Sequence, residues 1–125
     1  MKFRYARHTS NLAPLITFYT EIVGLQKLGG FKEHNNYDGV FLGWENKDWH
    51  LEFTVSPDKP ASSFDEDDAS VFYLHSKEEL AQKQILLQQQ GIELLKPKNP
   101  YWEENGIMIQ DPDGYRIIFS VGPGE

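Results

Sequence analysis

The chain repeats itself, and that repeat restricts its fold more than any other feature. Gly24-Leu25 recurs as Gly91-Ile92 at an offset of 67 residues, and the stretch Trp49 to Val55 recurs as Tyr115 to Val121 at an offset of 66. Two separate landmarks agreeing within one residue point to a duplicated unit. At that offset Arg4, near the start of the first unit, maps onto Ser70, with one residue of latitude that admits Val71.

The repeating unit reads as β, α, β, β, β. Phe3 to Thr9 is strand-like, and Ser10 or Asn11 can cap the helix that follows. Leu12, Leu15, Ile16, Tyr19 and Val23 recur at helical spacings, Pro14 is tolerated in a first turn, and Gly24 suits a left-handed stop. Strands are expected near Leu25 to Phe31, Val40 to Trp44 and Trp49 to Val55. The second unit offers a strand over Val71 to His75, a helix over Lys77 to Gln90 ended by Gly91, and strands over Ile92 to Leu95, Ile107 to Gln110 and Tyr115 to Val121. Asn105-Gly106 and Asp113-Gly114 read as turns. A linker spans residues 56–68 and carries Pro57, Pro60 and the acidic run Asp65 to Asp68. That run reads as a solvated loop, because four adjacent carboxylates seldom converge on one cation. The fold class is therefore α+β, with module one at about residues 1–55 and module two at about 69–122 of a single domain, since 125 residues leave little room for two independent cores.

Composition excludes several classes of function. A net charge of -7 gives no broad positive field for a phosphate backbone, so nucleic acid is not an expected partner. The absence of cysteine rules out disulfides, thiolate metal sites and a cysteine nucleophile, and fits a reducing cytoplasm. No apolar run approaches the roughly 18 residues of a membrane span, so no membrane association is expected.

The string from Asn11 to Leu25, with Phe18-Tyr19 ahead of Val23-Gly24-Leu25, resembles the helix and first turn of the vicinal oxygen chelate superfamily of glyoxalases, bleomycin-resistance proteins and extradiol dioxygenases. Asp111-Pro112-Asp113-Gly114-Tyr115 resembles the turn into that superfamily's last strand. The resemblance implies two tandem βαβββ modules whose mixed sheets form an open, U-shaped cleft with helices on the outer face, commonly in a homodimer. It also implies a small-molecule ligand. Side-chain alternation places Leu51, Phe53 and Val55 on one face of the fourth strand and His50, Glu52 and Thr54 on the other. In the eighth, Ile117, Phe119 and Val121 oppose Arg116, Ile118 and Ser120.

Metal-dependent members of that superfamily carry four inward ligands, and the resemblance assigns their positions here to Arg4, Glu52, Ser70 or Val71, and Ile118. Only Glu52 is a ligand type. A guanidinium repels a divalent ion and isoleucine has no lone pair, so no metal or other cofactor is expected, with a divalent metal as the alternative. With Arg4 placed beside Glu52, His8 and His50 should stand roughly 20 Å apart along parallel strands, too far to share a metal.

The expected site residues are thus organic-ligand contacts. Arg4 and Glu52 are expected to pair, either to neutralise a buried polar spot or to present Arg4 as a clamp for an anionic group. Glu52 and His8 are the acid-base candidates, and His50 lies on the same face, although a lone strand histidine such as His8 is more often a hydrogen-bonded structural residue than a catalyst. Tyr101 and Trp102, in the polar loop Asn99 to Glu104, read as a cap over the sheet edge or as a lid that stacks on a ligand. Three functions follow from these residues: a metal-free small-molecule binder, a glyoxalase-like or dioxygenase-like metal-dependent lyase, isomerase or oxygenase, and an interaction module that docks another chain through exposed sheet edges.

Overall fold

The computed structural model describes residues 1–61 and 63–122. Contacts divide the chain into two compact units, Met1–Ser62 and Ser63–Glu125, with the boundary inside the expected linker.

The first unit is a four-stranded sheet covered by one helix. Its strands are β1 (Phe3–His8), β2 (Gln26–His34), β3 (Tyr37–Gly43) and β4 (Trp49–Val55), in the order β1-β4-β3-β2. β1 runs parallel to β4 and the other pairs are antiparallel. The helix opens where expected, as α1 (Leu12–Thr17), with the Asn11 side chain accepting from the Ala13 amide. It does not continue as an α-helix to Val23. Phe18–Val23 is wound as a π turn, in which the Gly24 amide reaches back five residues to the Tyr19 carbonyl. A local cause is visible: the Thr20 hydroxyl donates to the Ile16 carbonyl at 2.6 Å, competing with the backbone amide for that acceptor. Gly24 then stops the helix at φ 97, a conformation that disfavours any residue with a Cβ.

α1 and the π turn bury Leu15, Phe18, Tyr19, Ile22 and Val23 with Val40, Leu42 and Phe53 of the sheet. Each such side chain contributes about 1.5–3 kcal/mol through apolar burial. Phe53 is central: its ring lies 5.0 Å from that of Tyr19 and 4.8 Å from the guanidinium carbon of Arg7.

The second unit contains β5 (Ala69–Leu74), α2 (Lys77–Gln89), α3 (Pro100–Asn105), β6 (Gly106–Gln110) and β7 (Arg116–Val121), with the sheet ordered β5-β7-β6. α2 is capped by the Ser76 hydroxyl, which accepts from the Glu79 amide, and Gly91 follows its end at φ 69. Its sheet-facing stripe includes Lys83, whose Nζ sits 5.1 Å from the Phe119 ring centre. Burial lowers the Lys83 pKa from its usual value, and Glu79 one turn earlier opposes that shift.

One expected strand and one expected turn do not form in this unit. Ile92 to Leu95 forms no strand; only Leu95 makes a bridge, its amide donating to the Met108 carbonyl at 2.8 Å. The run is not alternating, and Pro97 has no N–H with which to extend a ladder. Asn105-Gly106 is not a hairpin turn either, because Asn105 ends α3 and Gly106 begins β6. Asp113-Gly114 does turn the chain, with Gly114 at φ 90. The acidic run of residues 65–68 is exposed and closed on itself, the Asp67 amide donating to Asp65 and the Asp65 amide to Asp68.

Candidate functional site

Residues paired across strands share a face, so the register decides which polar groups meet on the side of the first sheet opposite its helix. Arg4 is opposite His50, Ala6 opposite Glu52 and His8 opposite Thr54. On β3, Phe41 is opposite Glu52 and Gly39 opposite Thr54; on β2, Gly29 and Phe31 are opposite Phe41 and Gly39. This corrects the expected alignment, in which Arg4 stood beside Glu52. His8 and His50 are then about 13 Å apart along the strands rather than roughly 20 Å, which is still too far for a common metal.

The expected Arg4–Glu52 pair forms nonetheless, because a long arginine reaches past its register partner. Arg4 Nη1 lies 3.5 Å from Glu52 Oε1, with the two side chains 50% and 13% exposed, so the cation stands proud of the carboxylate. Arg4 Nε donates to His50 Nε2 at 2.8 Å. Since a guanidinium only donates, His50 Nε2 carries the lone pair and its proton resides on Nδ1. The guanidinium carbon sits 4.9 Å from the centre of the Phe41 ring, which stands nearly perpendicular to the His50 ring with their centres 5.8 Å apart. Arg4 is thus held by an acceptor, an anion and an aromatic face. The donors left for a ligand belong to Nη2 and the second hydrogen of Nη1.

Phe41 and Phe31 were not among the residues expected at the site. Their rings are 5.8 Å apart, and Phe31 lies across Gly39, where a Cβ would overlap its Cε1 and Cζ atoms. The signal was available in the alternation of β3, where Gly39, Phe41 and Gly43 oppose the buried Val40 and Leu42.

His8 is not drawn into this cluster. Its Nε2 is 3.0 Å from Ser56 Oγ, and its ring is 6.1 Å from that of Tyr37. It belongs to the other end of the sheet, where an open pocket of about 310 Å³ is lined by Glu33, Asn36, Asp38, Val55, Ser56 and Pro57.

Tyr101 and Trp102 occupy a helix, not a loop. Asn99 caps α3 by accepting from the Tyr101 amide at 3.0 Å, Pro100 fills its first turn, and the two rings meet edge-on at 4.8 Å. Tyr101 is exposed and Trp102 half-buried, and α3 packs on β6 and β7.

The second sheet supplies no counterpart to the charged cluster. Arg4 precedes the Glu52 position by two register pairs, and the same step in the second unit places Ala69 opposite Arg116, two residues before Ile118. Ala69 therefore takes the place expected for Ser70 or Val71. Val71 pairs directly with Ile118, and Ser70 pairs with Ile117 on the opposite face. Neither Ala69, Val71 nor Ile118 offers a donor atom. Among the described residues no group of three or more His, Cys, Asp or Glu is placed to hold a metal ion. Of the positions that the resemblance assigned to metal ligands, only Glu52 carries a ligand-type side chain.

Two family models match the chain: the YycE-like N-terminal domain over residues 3–54 and the YycE-like C-terminal domain over residues 67–120. The chain belongs to the YycE-like family. A member of that family, the uncharacterized protein YycE of Bacillus subtilis strain 168, is 39% identical over 124 residues, covering 98% of this chain and 89% of the relative. The 2.0 Å crystal structure of a Bacillus subtilis YycE protein superposes with a TM-score of 0.85 at 38% identity, covering 99% of this chain and 91% of that one. It is described as a protein of unknown function and a candidate glyoxalase/fosfomycin resistance protein. More distant structures share the fold. The trypanothione-dependent glyoxalase I of Leishmania major has a TM-score of 0.73 at 20% identity, over 94% of this chain and 84% of that one. The fosfomycin resistance protein FosX of Mesorhizobium loti has a TM-score of 0.70 at 10% identity, over 97% and 90%. The YycE-like family thus has the vicinal oxygen chelate fold, here as two βαβββ-like modules with mixed sheets. Among the described residues no helix is long and apolar enough to cross a membrane.

Proposed function

We propose that the protein binds a small organic anion on the helix-opposed face of its first sheet, with Arg4 as the clamp and without a resident metal. The observation that carries this reading is the seating of Arg4, fixed by His50, Glu52 and Phe41 while half its side chain stays exposed. A cation held in one geometry loses little freedom on accepting a ligand, and a charge-assisted hydrogen bond is worth about 1.5–3 kcal/mol. Glu52 holds the clamp and is the acid-base group beside it. The name given to the Bacillus subtilis relative, with its reference to glyoxalase and fosfomycin resistance, is consistent with small-molecule handling.

The test is a screen of small carboxylates and phosphonates by NMR titration. Hits should lose about ten- to a hundredfold in affinity on Arg4→Ala, the range set by one charge-assisted contact. Hits that bind the variant as well as the native protein would remove the clamp. Turnover of a dicarbonyl-thiol adduct or a catechol, abolished by Glu52→Ala, would replace binding by catalysis.

The metal-free part of the reading has its own measurement. Protein purified without chelator should carry less than stoichiometric metal by mass spectrometry, and Ni, Zn, Mn and Fe(II) should leave its melting temperature unchanged, since a ligand bound by the native state must raise stability. A stoichiometric metal would return the metal-dependent lyase or oxygenase reading to first place.

A further inference from the structure

We infer that the anion bound at Arg4 carries a flat aromatic body, which stacks on Phe31, and that Gly39 is the residue that makes this possible. The inference rests on the Arg4 clamp and adds the class of ligand.

Three groups stand in a row on one face: the Arg4 guanidinium, the Phe41 ring 4.9 Å from it, and the Phe31 ring 5.8 Å further on. Phe41 has its face taken by the guanidinium. Phe31 differs. The far end of its ring lies over Gly39, it meets His34 edge-to-face and Phe41 at a tilt, and the side chain is only half-buried. The uncovered part of the ring is therefore a flat apolar surface one ring beyond the cation. Aromatic surfaces prefer offset-stacked or edge-on aromatic partners. A ligand that meets Arg4 through a carboxylate or phosphonate and extends by one ring satisfies both groups. Gly39 sets the height of this shelf. A Cβ there would overlap the far end of the Phe31 ring, a flexible side chain, so the ring would lift while the strand stayed in place. Gly29, opposite Phe41, keeps the adjoining floor low.

The probes are phenylphosphonate, methylphosphonate and benzylamine, titrated into the full chain by NMR. Phenylphosphonate should bind about three- to tenfold tighter than methylphosphonate, the increment expected of one stacked ring. Gly39→Ala should reduce that preference to near unity. Phe31→Leu should do the same and does not depend on Gly39→Ala folding normally. Equal affinity of native protein for the two phosphonates, with both lost on Arg4→Ala, would overturn the aromatic shelf and leave the clamp standing. Failure of both phosphonates to bind, or tighter binding of benzylamine, would overturn both.

Discussion

Truncating Phe53 to alanine should lower the free energy of unfolding by about 3–5 kcal/mol, the range for removing a buried aromatic side chain. Phe53 is 1% exposed in β4, which lies between β1 and β3, so its ring is flanked on its face by side chains of both neighbouring strands. Two neighbours would face the resulting hole. Tyr19 would lose a ring partner at 5.0 Å, and Arg7, itself 8% exposed, would lose the aromatic face under its guanidinium. A small domain has only about 5–15 kcal/mol in total, so a fall of this size is a large share of the whole. Urea denaturation of Phe53→Ala beside Tyr5→Ala, an exposed aromatic of β1, measures the contrast. A loss below about 1 kcal/mol for Phe53→Ala would mean that the helix does not depend on this contact.

Asp111→Ala should be nearly as damaging, costing about 3 kcal/mol, although the residue lies in a turn. Its side chain is 3% exposed, and Oδ1 accepts from the amides of Asp113 at 2.9 Å and Tyr115 at 3.0 Å. Its backbone closes the same turn, donating to the Tyr115 carbonyl and accepting from the Gly114 amide. Alanine would leave two backbone donors without their acceptor, and each bond to a charged group is worth about 1.5–3 kcal/mol. Asp111→Asn keeps an oxygen in the same place and should recover most of the loss. This pair separates two roles for the Asp-Pro-Asp-Gly segment. If Asp111 acted on a ligand, alanine would change binding at constant stability; as a turn lock, it changes stability and spares ligand affinity.

The fold was largely legible because its strongest signals are local. Gly24 and Gly91 mark helix ends through a backbone conformation that other residues adopt at a cost, and Trp49 to Val55 alternates cleanly enough to give β4 its observed limits. The site was legible only in part. Arg4, His50 and Glu52 were assigned to one face and do meet, yet Arg4 was placed opposite the wrong residue. Sliding one strand past another by two positions preserves every face, so alternation cannot detect it. Arg4 and Glu52 pair despite the shift because the arginine spans it. Phe31 and Phe41 lie outside the first and last strands of the module, where the superfamily's ligand positions fall: the aromatic surface is on β2 and β3. The Asn99-Pro100 pair was a usable helix start, obscured by the lack of periodicity in the aromatics that follow it.

The winding of residues 18–23 bears on how insertions and deletions among relatives should be understood. A π turn accommodates one more residue than an α-helix ending at the same point. A relative shorter by one residue between Thr17 and Gly24 can rewind to α geometry and still deliver its glycine to the same stop. A gap at this place in an alignment then records a change of helical pitch, and Leu25 and the whole of β2 remain comparable residue for residue across it.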